Sequence, residues 1–386
     1  MAHKVTIGLD VGTATTRIAV IEHTKGSNSQ IIATGKSETS GMRQGYVVNQ
    51  NEAVKSILRV KEEVERKANV QIKHATLSFG GISLESSISP GSAIISKANN
   101  EVTTLDIEKA IADSRSNLNI TNRHILHEIP VEFTLDSKEV FGNPEGMRGV
   151  KLEVKTLFIT VLTHHYENLV ATAEIAGIEV TDVVALPLAT SMIVLNDKQR
   201  NAGCALVDIG SETTSIAVFE EGNVISISVI SMGGNNVTND IALGLQIPIE
   251  DAERVKTGHI IGDFPKKQLD EIIEARLTDI FELVRRHLKK IHRDRLLPAG
   301  IIIIGGGSRS KNIEDLAKKI LKLPARIGTP RVFAENKASS NDTSWTTVYG
   351  LCLLGKFTST NALSGELGIW KTLKEGVQSL LKQLMP

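Results

Sequence analysis

Two stretches of this chain carry residues whose types and spacing could do chemistry together. GLDVGTATTRIAVIE spans 8–22, and LVDIGSETTSIAVFE spans 206–220. Asp10 matches Asp208, Gly12 matches Gly210, and Thr15-Thr16 match Thr213-Thr214. In each copy an apolar run ends in Asp-x-Gly, a small hydroxyl residue follows (Thr13 or Ser211), and a second apolar run begins. That pattern predicts strand, tight turn, strand. The backbone N–H groups of such turns form concavities that bind anions. Facing each other across a cleft, Asp10 and Asp208 would hold a hydrated Mg²⁺, which keeps most of its waters and takes one or two carboxylates plus phosphate oxygens. A third loop, Gly305-Gly306-Gly307-Ser308-Arg309, follows an apolar run and precedes a helical pattern. It would let a nucleotide approach the backbone closely at a helix N-terminus. One Asp-x-Gly turn alone is an ordinary turn. Two copies with shared flanks, and a glycine loop in the right order, point to a bound nucleotide.

The expected nucleotide-contacting set follows from these loops. It comprises Asp10, Gly12, Thr13, Ala14 and Thr15 from the first copy, and Asp208, Gly210, Ser211, Glu212 and Thr213 from the second. Gly233, Gly234 and Asn235 precede the next helix and join it, as does the 305–309 loop. Asp208 is the one candidate for a catalytic role, by orienting water through Mg²⁺. No residue is marked by sequence as a general base, and phosphoryl transfer needs a positioned water and charge stabilisation.

The elements that must position these loops alternate between strand and helix patterns. A helical stripe runs through 51–70, with Val54, Ile57, Leu58, Val64 and Ala68 near one face. HATLSFGG reads as a strand, and TDVVALPLATSMIVL as a strand followed by a helix. The strongest helix spans 266–292, with Leu269, Ile272, Ile273, Leu277, Ile280, Phe281, Val284, Leu288 and Ile291 at i, i+3, i+4 spacing. Arg276 falls inside that stripe. Such an arginine either snorkels from the edge or pairs with an acid. From about 83 to 163 the texture changes to strand, helix, strand, strand, as in a small inserted domain. His124, His127, His164 and His165 lack a cysteine or carboxylate at ligand spacing and are read as strand residues, not a metal site.

Bulk properties narrow the function classes. The 386 residues suffice for several domains with real cores. Forty-four basic residues balance 44 acidic ones, which argues against bulk nucleic acid as the main partner. Two isolated cysteines, Cys204 and Cys352, form no disulfide framework and suit a reducing cytosol. The N-terminus carries no signal-peptide pattern. The end of the chain is different. After a polar stretch at 358–368, Ile369, Trp370, Leu373, Val377, Leu380, Leu381 and Leu384 fall on one helical face. Lys371, Lys374 and Lys382 lie on the other. A basic amphipathic helix with a tryptophan near its start reads as an in-plane anchor on an anionic membrane.

The two turns followed by the glycine loop resemble the actin–Hsp70–sugar-kinase superfold. DAERVK supports it, because Glu253 and Lys256 share a helix face where that superfold's Glu-x-x-Lys pair contacts the ribose. Within the superfold, GMRQGYVVN (41–49), RHILHEIPVEFTLD (123–136), DAERVKTGH, AGIIIIGGGS and the polar stretch with its amphipathic tail make the chain similar to the bacterial FtsA cell-division family. The resemblance covers essentially the whole length. It implies a two-lobed α/β fold: a first lobe from 1–82, 163–202 and 336–357, an insert at 83–162, a second-lobe core from 203–235 and 298–335, and a second-lobe insert at 236–297. A linker at 358–368 and a membrane helix at 369–386 follow.

The resemblance further implies an ATP-binding, self-polymerising protein with at most slow ATP turnover. Such a protein tethers filaments of the tubulin-like FtsZ to the cytoplasmic face of the inner membrane at the division site. It places the FtsZ-tail contact on the long helix, with Arg276, Lys266 and Lys267 as its positive residues. Two features depart from the family. Glu212 stands where the superfold usually has glycine, and a carboxylate beside phosphates should weaken anion binding or alter metal geometry. The linker is short, which should hold the body close to the bilayer. Two alternatives in the same superfold are a type IV pilus assembly protein, which should lack the amphipathic tail, and a small-molecule kinase, which should turn ATP over quickly.

Overall fold

The structure, a computed structural model, describes residues 4–23, 29–259, 265–330 and 342–358. The amphipathic stretch at 369–386, and the linker beyond residue 358, lie outside the described residues.

The chain opens with an antiparallel meander, β1 (Lys4–Val11), β2 (Thr15–His23) and β3 (Gln30–Glu38). A two-stranded ribbon follows, β4 (Met42–Arg43) and β5 (Tyr46–Val47), then α1 (Gln50–Ala68) and β6 (His74–Phe79). Next come β7 (Glu85–Ile94), α2 (Thr104–Ser116), β8 (Arg123–Leu135), β9 (Lys138–Val140) and β10 (Lys151–Leu162). The chain returns through α3 (Thr163–Ile175), β11 (Glu179–Ala185), α4 (Leu186–Val194) and α5 (Asp197–Ala202). A second meander is built from β12 (Cys204–Ile209), β13 (Thr214–Glu220) and β14 (Asn223–Ile230). Then follow α6 (Gly234–Leu245), α7 (Ile249–Lys256), α8 (Lys266–Lys290), β15 (Gly300–Ile304), α9 (Ile313–Leu321), β16 (Ala325–Ile327) and α10 (Thr346–Thr358).

The repeat in sequence is a repeat in topology. One sheet runs β11-β6-β1-β2-β3, and the second opens with the matching order β16-β15-β12-β13-β14. In both, a meander is flanked by two strands running parallel to its first strand. This is the duplicated actin-like fold, with mixed sheets and helices on their faces. β12 shows why helices must cover both faces. Cys204 and Leu206 point into one core, while Ala205, Val207 and Ile209 point into the other, the period-two alternation of a strand. α8 supplies Leu277, Ile280, Phe281, Val284 and Leu288 to that second core, so the lower part of its stripe is fully buried. Its first turns pack Leu269, Ile272 and Ile273 against α6 and α7 instead.

β7, α2, β8, β9 and β10 form a unit with its own core, centred on Val102, Ile107, Ala110, Phe133, Leu152 and Val154. It is not a free-standing sheet. β7 meets the open edge of β14 at Ser228–Glu85, so nine strands are continuous. Ser86 fixes that edge, accepting from the Ile227 N–H at 2.7 Å and donating to the Ile227 carbonyl at 3.1 Å.

Two local expectations are corrected. Leu58 is 36% exposed, because α1 turns Ala53, Val54, Ile57, Val60 and Val64 to the core and leaves Leu58 at the edge. His164 and His165 are not strand residues. They open α3, where His165 stacks on Tyr46 with ring centres 3.5 Å apart, and neighbouring Tyr166 stacks on His124 at 3.9 Å.

Candidate functional site: a cleft between two matching turns

The two copies of the repeated phrase close in the same way. The Gly12 N–H donates to the Thr15 carbonyl at 3.2 Å, and the Gly210 N–H donates to the Thr213 carbonyl at 2.9 Å. A side chain on either glycine would press on that carbonyl, at 2.9 Å and 3.0 Å respectively. Both turns line one cleft of about 460 Å³, within the usual range of small-molecule sites.

The two aspartates converge there. Asp10 is buried at the end of β1 and accepts a hydrogen bond from the Ser78 hydroxyl at 2.5 Å. Burial raises its pKa, opposed by the Arg17 guanidinium and the Ser78 hydrogen bond. Asp208 is pushed up to about 7, first by burial and then by the negative charge of Asp10, with Arg17 again opposing. Two carboxylates this close repel, and one proton or a divalent cation relieves them. Among the described residues no cluster of three or more metal-ligating side chains exists. Asp10 and Asp208 would suit a cation that takes one or two carboxylates and completes its shell with water and phosphate oxygens, as Mg²⁺ does.

The glycine loop sits against this pair. Gly305 has φ +84°, and a Cβ there would lie 2.2 Å from Asp208 Oδ1. Gly307 packs on Ile209, while a Cβ on Gly306 would meet no protein atom. The start of α6 is stapled to the second turn: the Gly234 N–H donates to the Gly210 carbonyl at 2.8 Å and the Asn235 N–H to the Ser211 carbonyl at 2.6 Å. At the cleft's edge Lys256 donates to Glu253 at 2.5 Å, to Thr238 Oγ1 at 2.7 Å and to the Gly234 carbonyl at 3.2 Å.

Most of the expected set lines this cleft: Asp10, Gly12 to Thr15, Asp208, Gly210, Ser211, Thr213, Gly234, Asn235, Glu253, Lys256, Gly305 to Gly307 and Arg309. Three do not. Ser308 is buried and donates to the Gly305 carbonyl at 2.7 Å, holding the loop from behind. Gly233 is pressed against the Gly210 and Ser211 carbonyls. Glu212 does not line the cleft; its carboxylate accepts from the Gln44 N–H at 2.7 Å.

Sequence reading missed Arg17 and Ser78, which also line the cleft. Arg17 pairs in register with Asp10 across the hairpin, and its guanidinium lies 6.0 Å from the Trp345 ring centre. Its Nε is buried without a hydrogen-bond partner. Counting back from the turn would have found it. Ser78 arrives on the parallel neighbour β6, a tertiary pairing that no local pattern announces.

The three residues expected to meet a partner lie on α8. Arg276 grips Asp240 of α6 through Nε–Oδ2 at 2.6 Å and Nη2–Oδ1 at 3.0 Å, and reaches Asp279 at 3.2 Å. Lys266 and Lys267 occupy the exposed first turn, which carries no acidic residue, and Lys267 Nζ lies 3.8 Å from Glu271 Oε1 one turn on.

Comparison with known proteins gives a consistent result. Residues 205–350 match the family model described as cell division protein FtsA, and residues 81–160 match that of an SHS2 domain inserted in FtsA. The chain is 31% identical over 349 residues to the cell division protein FtsA of Pseudomonas aeruginosa, covering 85% of this chain and 83% of that one. It is 30% identical over 398 residues to the Bacillus subtilis protein of that name, covering 97% and 88%. Among solved structures, a PilM–PilN type IV pilus biogenesis complex superposes with TM-score 0.67 at 15% identity, covering 91% of this chain and 98% of that one. MreB5 of Spiroplasma citri bound to ADP superposes with TM-score 0.53 at 15% identity, covering 94% and 99%. At that identity the structural likeness establishes the fold.

Proposed function

This chain belongs to the FtsA family of cell-division proteins, and from that premise we propose that it is an ATP-binding, self-assembling adaptor that holds FtsZ filaments at the cytoplasmic membrane. One observation carries the nucleotide part of this reading. Two copies of one turn face a common cleft, with an aspartate behind each and a glycine loop packed on the second. The turns' backbone N–H groups and hydroxyls would take the phosphates. Asp10 and Asp208 would hold Mg²⁺, which supplies the positive charge that offsets the phosphates. Arg17 adds a further cation beside them. Glu253 and Lys256 stand at the far edge of the cleft, where a ribose would reach. Asp208 is the group that would orient a water, and ATP serves chiefly as an assembly ligand.

The partner surface is the exposed beginning of α8. Lys266 and Lys267, the latter only loosely offset by Glu271 at 3.8 Å, add positive charge to a helix N-terminus that is already partly positive, and an acidic peptide end would relieve both. The membrane contact is assigned to residues 369–386 on their amphipathic pattern. No described helix is long and apolar enough to cross a bilayer.

The test is co-sedimentation with anionic liposomes and FtsZ, comparing the full chain with one ending at Gly368. The full chain should pellet with liposomes and bring FtsZ with it, and the truncated chain should do neither. Liposome binding that survives truncation removes the anchor from this reading. Failure to recruit FtsZ at any ATP concentration removes the adaptor.

A further inference from the structure

Glu212 is the residue at which the two matched turns differ most. Its counterpart is Ala14, and on charge alone it should oppose bound phosphate. Its geometry points elsewhere. Ser211 and Thr213 on either side face the cleft, while the Glu212 side chain crosses to the other lobe and accepts from the Gln44 backbone N–H at 2.7 Å.

The point it reaches is fixed to the first lobe. Gln44 and Gly45 form the tip of the β4–β5 ribbon, both left-handed at φ 50° and 76°. The Gly45 N–H donates to Thr13 Oγ1 at 3.1 Å, so the same tip rests on the first phosphate turn. The Ile82 N–H donates to the Gln44 carbonyl at 3.4 Å, and a Cβ on Gly45 would lie 2.5 Å from Gly81 Cα. The ribbon tip therefore touches Thr13 in one turn and Glu212 in the other. An N–H bonded to a carboxylate is charge-assisted and stronger than a neutral pair.

We propose that Glu212 is a latch across the mouth of the cleft, a positioning residue that holds the two phosphate turns at their closed spacing and slows escape of bound nucleotide. The escape clause rests on the nucleotide reading above; the latch itself does not. Aspartate would keep the charge, but one methylene fewer takes its carboxylate out of reach of Gln44. Glu212→Asp and Glu212→Ala should then behave alike. If Glu212 acted only by repelling phosphate, they would differ, and alanine would bind ATP more tightly.

The experiment has two readouts on the full chain. The first is amide hydrogen exchange of a peptide covering 41–48, measured without nucleotide. The second is the dissociation rate of a fluorescent ATP analogue with Mg²⁺. Both variants should exchange at this segment about ten-fold faster than wild type, the effect of losing one charge-assisted bond. Both should also release the analogue several-fold faster. Unchanged exchange in both variants overturns the latch, whatever the nucleotide does. Faster exchange with unchanged release confines Glu212 to local structure and overturns its role in retention. Tighter binding in Glu212→Ala but not Glu212→Asp restores the repulsion reading. If wild type binds no analogue, the nucleotide reading fails, and the exchange result alone decides the latch.

Discussion

The guanidinium of Arg276 on α8 and the carboxylate of Asp240 on α6 form a two-pronged pair, at 2.6 Å and 3.0 Å, that locks the two helices together. Both side chains are about three-quarters buried. Asp240 raises the Arg276 pKa further, first through that hydrogen bond. An arginine so committed must give up its pair before it can bind a partner's carboxylate.

Asp240→Asn tests that competition. Breaking the fork should cost about 1 kcal/mol of stability in urea unfolding, since the pair is only partly shielded from water. It should also loosen Arg276, which then keeps only its 3.2 Å contact with Asp279, so an acidic FtsZ tail peptide should bind more tightly if Arg276 is a contact. Unchanged peptide affinity would assign the contact to Lys266 and Lys267 alone.

Gly305 and Gly306 should separate structural from ligand effects. Gly305→Ala places a methyl 2.2 Å from Asp208 Oδ1 at a left-handed position, and should lower both stability and ATP affinity. Gly306→Ala meets no protein atom within 4 Å. It should leave the melting temperature unchanged and still weaken ATP binding. Equal affinity in Gly306→Ala and wild type would mean that no ligand approaches that glycine.

Asp208 makes a signed pH prediction. Its pKa rises from 3.8 to about 7 on folding, so between those values the native state binds a proton that the unfolded state has lost. Its contribution therefore destabilises the fold progressively as pH rises from about 4 to 7. Asp208→Asn should be closest to wild type near pH 4 and increasingly more stable toward pH 8, by thermal melts without Mg²⁺. Adding Mg²⁺ with ATP should reverse the order at pH 8. Parallel melting curves for the two proteins across that range would contradict the charge repulsion assigned to the pair.

His127 shows what the His-Glu-Ile-Pro stretch at 127–130 does. Its Nε2 accepts from the Ala185 N–H at 3.0 Å, tying β8 to the β11–α4 junction of the first lobe. Burial pushes its pKa down to about 4. His127→Ala should cost about 1–3 kcal/mol, by leaving a buried N–H without an acceptor. Wild type should also lose stability as pH falls from about 6.5 toward 4, where only the unfolded chain takes up the proton. That acid loss should be smaller in His127→Ala, as read from urea midpoints at pH 7 and pH 5.

The duplicated core was legible because its signal is local and doubled: Asp-x-Gly after an apolar run, twice, with matching flanks. The burial of α8 was legible from its stripe, since five of the nine residues named in it are fully buried. Relationships between distant segments were not. Nothing near Glu212 announces Gln44, which lies 168 residues away. The β7–β14 junction that makes one sheet of nine strands rests on Ser86 and Ile227, and neither is unusual for its strand. Arg276 was placed correctly in its stripe, but choosing between snorkelling and pairing needed the position of α6.

The central claim is that the two matched turns form one Mg-nucleotide clamp, and calorimetric titration with ATP and Mg²⁺ tests it most directly. Wild type should bind one ATP per chain, with affinity falling when Mg²⁺ is withdrawn, and Asp10→Asn and Asp208→Asn should each lose most of the Mg²⁺-dependent binding. Wild type that binds no ATP, or binding that both variants retain in full, would contradict it.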